Sequence, residues 1–331
     1  MTLLSVENLT VGFPTEDGRL RAVRGVSYEV NRGESVGIVG ESGSGKSVTS
    51  LAIMGLLPRN AQVTGSVKLL GEELVGRTDK ELSKIRGRRI AMIFQDPLTS
   101  LNPVYTVGDQ IAEAVRAHNG VSKHDALRRA TDLLDIVGIP NPKLRARNYP
   151  HEMSGGMRQR IVIAIAMANN PDLIIADEPT TALDVTVQAQ VLEALEAARA
   201  ETGAALVLIT HDLGVIAGHT DRVCVMYAGK LVETGTVDEI FYGPRMPYTL
   251  GLLGSLPRID ETGRQRLTPI TGAPPSLLHL PPGCPFSPRC PMTRDRCDDA
   301  EPVLTATTGP DHRAACHFHT ELAEAKAEDV F

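Results

Sequence analysis

Polar and apolar positions change their period several times along this chain, and the changes divide it. Leu3–Leu9, Ala22–Val30 and Ser35–Val39 read as strands, separated by polar, glycine-containing turns, one of them at Thr15–Gly18. Val48–Leu57 reads as a helix and Ile90–Phe94 as a further strand. Between Thr106 and Gly138 the apolar residues Val107, Ile111, Val115, Leu127, Leu133, Leu134 and Val137 fall at helical spacing, which predicts a helical insertion within residues 96–168. Strands resume at Leu173–Ala176, Ala205–Ile209 and Val223–Tyr227, with a helix over Val187–Ala200 between the first two. That alternation is the mark of an α/β sheet. Beyond Tyr242, prolines at 244, 247, 257, 269, 274, 275, 281, 282, 285, 288 and 291 leave little room for long helices or central strands. The expected division is therefore 1–240, an α/β domain, and 241–331, an extension whose polar tail from Glu321 frays.

Composition narrows the function classes. A chain of 331 residues has room for about two domains. Its net charge of −6, from 34 basic and 40 acidic residues, leaves no electrostatic footprint for nucleic acid. Arg86, Arg88 and Arg89 form the tightest basic cluster and read as a solvated turn before the strand Ile90–Phe94. No run approaches the roughly 18 apolar residues of a membrane span, and a charged and then apolar leader is lacking, so the chain is expected in the cytoplasm. Cys224, in the apolar run Arg222–Tyr227, reads as a small core residue.

The densest chemical signal is Gly40-Glu41-Ser42-Gly43-Ser44-Gly45-Lys46-Ser47, placed between the strand Ser35–Val39 and the following helix. Glycines at 40, 43 and 45 let backbone N–H groups, with those of Ser42 and Ser44, turn onto phosphate oxygens. Lys46 adds a point charge near the β- and γ-phosphates, and the Ser47 hydroxyl can reach Mg²⁺. Asp177 closes an apolar strand, where its carboxylate can orient Mg²⁺ or a metal-bound water. Glu178 is then placed to act as a general base on the attacking water. Without the cradle, this Asp-Glu pair would read as a solvated turn or helix cap. Ser154-Gly155-Gly156 opens a helix running through Arg160 to Ala168, and a serine cap with exposed N–H groups is a ready anion site.

Taken in order, the Gly40–Ser47 cradle, Gln95, Ser154-Gly155-Gly156, Asp177-Glu178, Thr181-Ala182-Leu183-Asp184 and His211 resemble the motifs of the ATP-binding subunit of ABC transporters, over nearly the whole chain. The resemblance implies a P-loop ABC-type nucleotide-binding domain with an inserted helical subdomain, using ATP and Mg²⁺. It implies that His211 contacts the γ-phosphate and that Gln95 touches Mg²⁺ and water while sensing a transporter partner. Ser154–Gly156 and Asp184 would meet the ATP held by a second ATPase subunit, a related but different chain. Met157 stands where the family signature usually has glutamine. Phe13 occupies the place of an aromatic that stacks on adenine, or else it is a core phenylalanine of the first hairpin.

Phe94–Pro103, Val107–Ile111 and Met153–Arg160 are similar to the peptide/nickel importer branch, and Met246-Pro247-Tyr248-Thr249 resembles its His-Pro-Tyr-Thr element with the histidine replaced. This implies an ATPase peripheral to the cytoplasmic face of the plasma membrane, partnered by two membrane-spanning permease subunits and an extracytoplasmic solute-binding protein. Its cargo would be dipeptides or oligopeptides, with nickel, glutathione or another small solute as the alternative. A non-transport ABC ATPase and a redox or iron sensor are more distant readings.

Cys284, Cys290, Cys297 and Cys316 are separated by five, six and eighteen residues in a segment too poor in apolar residues to build its own core. Disulfides rarely persist in a reducing compartment, which leaves four free thiols or a four-thiolate metal site. Zinc sites usually contain a Cys-x₂₋₄-Cys knuckle, and these gaps are wider. The spacing and the Cys-Pro pairs at 284–285 and 290–291 resemble the tail of dipeptide-importer ATPases, in some of which a [4Fe–4S] cluster is held. The resemblance implies a structural cluster, with zinc as the alternative and His317 or His319 able to replace one thiolate.

Overall fold

The computed structural model describes residues 1–181, 183–256, 269–307, 309, 311–323, 325 and 327–331. Ala182 of the Thr181–Asp184 motif and Pro257 lie outside the described residues. Compactness groups the chain differently from its linear order. One unit gathers Met1–Leu4, Glu29–Ser35 and Leu69–Ile209, and the other Ser5–Tyr28, Val36–Lys68 and Thr210–Phe331, so the extension beyond 240 shares a unit with the Gly40–Ser47 cradle.

The first unit contains parallel strands Ile90–Ile93, Leu173–Asp177 and Ala205–Thr210, registered Ile90 to Leu173 and Ile174 to Leu206. The last two are buried throughout, as strands covered on both faces must be. The predicted helical insertion is present as Val107–His118 and Lys123–Ile136, packed on each other and on the helix Gly155–Ala166. Hydroxyls of Thr106, Ser122 and Ser154 cap these three helices by accepting the N–H three residues on. Gly155–Ala166 also packs on Val185–Thr202. A Cβ on Gly156 would stand 2.3 Å from Val187 Cγ1, so glycine there permits the close helix approach.

In the second unit, Ser35–Val39 runs parallel to Arg222–Tyr227. The latter pairs antiparallel with Lys230–Thr236, which carries a bulge between Leu231 and Glu233. Arg313–Ala314 and then Thr305–Ala306 add two-residue strands at this edge, with Glu233 opposite Ala314. The extension is thus joined to the sheet by its backbone, and by buried His312, whose Nε2 lies 2.9 Å from Glu233 Oε1. Its longest helix among the described residues is Pro247–Gly254, in keeping with its proline content.

Several element ends differ from the sequence reading for identifiable reasons. The first hairpin is longer, Thr2–Thr15 and Gly18–Asn31. The helix after the cradle covers Lys46–Met54 and stops short of Leu57, because Gly55 takes a left-handed φ of 62°. Among the described residues no helix is long and apolar enough to cross a membrane.

Candidate active site

Strand Ser35–Val39 delivers the chain into the cradle, and helix Lys46–Met54 leaves it, as the sequence predicts. Close approach of backbone dictates the glycines. A Cβ on Gly40 would lie 2.2 Å from the Met226 carbonyl oxygen, and one on Gly45, at φ 104°, would lie 2.6 Å from that of Ala22. Gly43 is also left-handed, at φ 79°. Lys46 is buried, and its Nζ donates to the carbonyls of Gly40 (2.7 Å) and Glu41 (3.0 Å). Ser44 is buried, and its Oγ has no hydrogen-bond partner among the described residues. An orphaned hydroxyl beside left-handed glycines and a buried lysine fits a phosphate group, since such a donor is costly to bury unused. Ser42 is exposed on the loop, and Ser47 lies in the first turn of the helix.

Across strand ends of the first unit, the sequence-distant residues Gln95, Glu178 and Thr181 meet. Gln95 Nε2 donates to Glu178 Oε2 at 3.1 Å, and Thr181 Oγ1 donates to the same oxygen at 2.8 Å. The Glu178 N–H donates to the Ile209 carbonyl (2.8 Å), pinning the residue to the neighbouring strand. Glu178 has φ 48°, a left-handed conformation that costs a non-glycine residue about 1–3 kcal/mol and that functional sites often retain. Asp177, immediately before it, is buried at the end of Leu173–Asp177. The arrangement holds one carboxylate buried and fixes the next by two donors. The Thr181 hydroxyl is a donor that the motif pattern alone does not identify; its three-residue spacing after Glu178 is the signal that points to it.

Ser154 and Gly155 are exposed while Gly156 is buried. Ser154 Oγ accepts the Met157 N–H at 3.3 Å, and Asp184 Oδ1 accepts that of Val187 at 3.0 Å. Both therefore cap helices that pack together. Phe13 is half-buried in Thr2–Thr15, and His211 is exposed between Ala205–Thr210 and the helix Leu213–His219.

The four C-terminal cysteines are thiols, with Cys284 and Cys297 buried and Cys290 and Cys316 half-buried. They share one neighbourhood. The Cys284 N–H donates to the Cys297 carbonyl at 2.7 Å, and the Cys290 thiol is influenced by the charges of Cys316, Cys284 and Cys297. Burial first, then neighbouring charges, pushes the Cys290 thiol up to about 12, and burial with Cys284, Cys297 and Glu233 nearby pushes Cys316 to about 11, so a nearby cation is needed to hold them as thiolates. Cys316 Sγ accepts the backbone N–H two residues on, from Phe318, at 3.4 Å in a turn. Such turns stabilise an anionic sulfur. Among the described residues no group of three or more His, Cys, Asp or Glu side chains is arranged to hold a metal ion. His317 is committed through Nε2 to the Ala300 carbonyl at 2.8 Å.

Glycine cradle, strand-end carboxylates and a serine-capped signature helix define an ABC-type nucleotide-binding protein. Residues 23–181 match the family model "ABC transporter", and residues 232–297 match "Oligopeptide/dipeptide transporter, C-terminal region". Among similar proteins, the oligopeptide transport ATP-binding protein OppD of Mycobacterium tuberculosis is 57% identical over 99% of this chain, which spans only 54% of that protein. The dipeptide transport ATP-binding protein DppD of Bacillus subtilis is 53% identical over 97% of this chain and 96% of its own length. A solved dimeric ATP-binding cassette in a post-hydrolysis state, bound to ADP and Pi, covers 71% of this chain at 29% identity with a TM-score of 0.64; 98% of that chain is matched. The chain belongs to the ABC-transporter ATP-binding proteins of the oligopeptide/dipeptide family.

Proposed function

We propose that this protein is the ATP-hydrolysing subunit of an ABC importer for dipeptides or oligopeptides, working at the cytoplasmic face of the plasma membrane with two membrane-spanning permease subunits, a second, related ATPase and an extracytoplasmic solute-binding protein. The observation that carries the enzymatic reading is the Glu178 carboxylate held at a strand end by Gln95 and Thr181. In this reading Gly40–Ser47 binds the phosphates, and Phe13 stacks on adenine. Ser47, Gln95 and Asp177 would hold Mg²⁺, which would supply charge neutralisation on the phosphates. Glu178 accepts a proton from the attacking water while Gln95 and Thr181 orient its carboxylate, and His211 contacts the γ-phosphate. Exposed Ser154 and Gly155, with Gly156 and Asp184, face the ATP of the second subunit. Residues 1–240 form the ATPase domain and 241–331 its extension.

The peptide cargo is supported by similarity to peptide transport ATP-binding proteins in both the core and the C-terminal region. Reconstitution with the membrane subunits and solute-binding protein in liposomes tests it. ATP-dependent uptake of a labelled dipeptide or oligopeptide is expected, and uptake of nickel or glutathione in its place would move the assignment within the branch.

For the thiol cluster we propose a structural [4Fe–4S] group held by Cys284, Cys290, Cys297 and Cys316. A cluster spreads its irons among surrounding thiolates, whereas one zinc ion requires ligands converging on a point. The Phe318 N–H given to Cys316 supports a ligating state of that sulfur. Anaerobically purified protein should be brown and contain iron and sulfide in equal amounts. Stoichiometric zinc without iron would replace the cluster by a zinc site.

A further inference from the structure

Glu41 places a carboxylate within a loop otherwise built to collect phosphate oxygens, and an uncompensated negative charge there would oppose the ligand. Arg289 compensates it with a two-pronged contact. Its Nη1 donates to Glu41 Oε2 at 2.6 Å and its Nη2 to Oε1 at 2.9 Å. The arginine side chain is 5% exposed and the glutamate 27%. Bidentate guanidinium–carboxylate pairs are among the strong hydrogen-bonded contacts, because geometry and charge act together.

The arginine is itself immobilised. Its Nε donates to the Thr271 carbonyl at 3.1 Å and its Nη1 to Tyr227 Oη at 3.3 Å. The guanidinium carbon lies 5.9 Å from the ring centroids of both Tyr227 and Phe286. Glu41 is held by its backbone as well: its N–H donates to Tyr248 Oη at 2.8 Å, and its carbonyl accepts Lys46 Nζ at 3.0 Å. Tyr248 packs on Tyr227 and Phe286, at centroid distances of 4.5 and 5.4 Å. Phe286 and Arg289 both belong to the short loop between Cys284 and Cys290.

We propose that Arg289 is a positioning residue for nucleotide binding: by holding and neutralising Glu41 it keeps the cradle aligned for the phosphates. This rests on the reading of Gly40–Ser47 as the phosphate site. The test is the Kd for MgATP of the full chain, measured by calorimetry for the wild type, Arg289→Ala, Glu41→Gln, the double variant and Lys46→Ala. Arg289→Ala is expected to weaken binding about tenfold, because it strands a partly buried carboxylate beside the phosphates. Adding Glu41→Gln to it should return affinity to within about threefold of wild type, since no uncompensated charge remains.

Equal losses in Arg289→Ala and the double variant would overturn the inference and make Arg289 a packing residue. Lys46→Ala separates the two levels. Unchanged affinity in Lys46→Ala would overturn the phosphate-site reading, whereas its loss alongside wild-type binding by Arg289→Ala would overturn this inference alone. If Arg289→Ala does not fold, Arg289→Lys with and without Glu41→Gln decides. The lysine keeps the charge but loses the fork, so about a threefold loss relieved by Glu41→Gln is expected, and no loss overturns the inference.

Discussion

The Gly40–Ser47 loop, proposed to bind phosphate, is shaped by its backbone, whereas the Gln95, Glu178 and Thr181 group is made by side chains. In the loop, glycines permit conformations and approaches that any Cβ would block, at 2.2 Å for Gly40 and 2.6 Å for Gly45. In the other group, one carboxylate oxygen receives two donors from residues up to 83 positions away, and the residue that bears it sits at φ 48°. Backbone cradles bind an anion by many weak, uniform contacts. A positioned carboxylate instead acts on one proton, so its identity matters more than its shape. Binding and chemistry should therefore come apart under mutation.

The largest expected separation is at Glu178. Glu178→Gln keeps the acceptor oxygen for Gln95 and Thr181 while removing proton-accepting capacity, so hydrolysis should fall roughly 10²-fold or more with ATP binding retained. Turnover of the assembled transporter, measured beside nucleotide affinity, checks it; near-normal turnover would refute the base assignment. Lys46→Ala should show the opposite split. Loss of a charge-assisted contact of about 2 kcal/mol predicts ATP binding weakened roughly 30-fold, and unchanged affinity would remove the cradle from the site.

Legibility in the sequence followed the same divide. Contiguous backbone devices could be read directly: the strand Ser35–Val39, the cradle, and the helix opened by Ser154 all appear where the spacing places them. Gln95 could be named from the family resemblance and Glu178 from its place after an apolar strand, but the shared oxygen could not, because sheet register brings them together. Arg289 was invisible for the same reason. A charged Glu41 inside a loop read as an anion cradle signals that some cation must answer it, yet the two partners are 248 positions apart. The N–H given to Cys316 likewise depends on turn geometry that the cysteine gaps do not encode.

Cys290→Ser sharpens the comparison from the side of the extension. The loop from Cys284 to Cys290 carries Phe286 and Arg289 onto residues around the cradle, so loosening it reaches the cradle indirectly. Limited proteolysis should cut the variant beyond residue 280 faster than the wild type. ATP binding should persist with an affinity loss smaller than that of Arg289→Ala, and unchanged protease resistance would show that the thiols do not order this loop. At Ser154 the expected stability effect is smaller still. Ser154→Ala removes a helix N-cap, worth about 1 kcal/mol or roughly 2 °C in Tm. A larger loss of cooperative hydrolysis than of Tm would show that its exposed hydroxyl also serves the partner's ATP.

The smallest effect is expected where an ion pair looks similar but its surroundings differ. Arg294 contacts Glu321 through both guanidinium nitrogens, much as Arg289 contacts Glu41. Here, however, the two side chains are 50% and 44% exposed, so water and salt screen the pair and each side chain loses rotamer freedom to form it. Glu321→Gln should therefore leave ATP affinity unchanged and shift Tm by no measurable amount at physiological salt. A loss of affinity comparable to that of Arg289→Ala would mean that the extension acts on the cradle as one stiff body, and that the Arg289 fork is only one of its contacts.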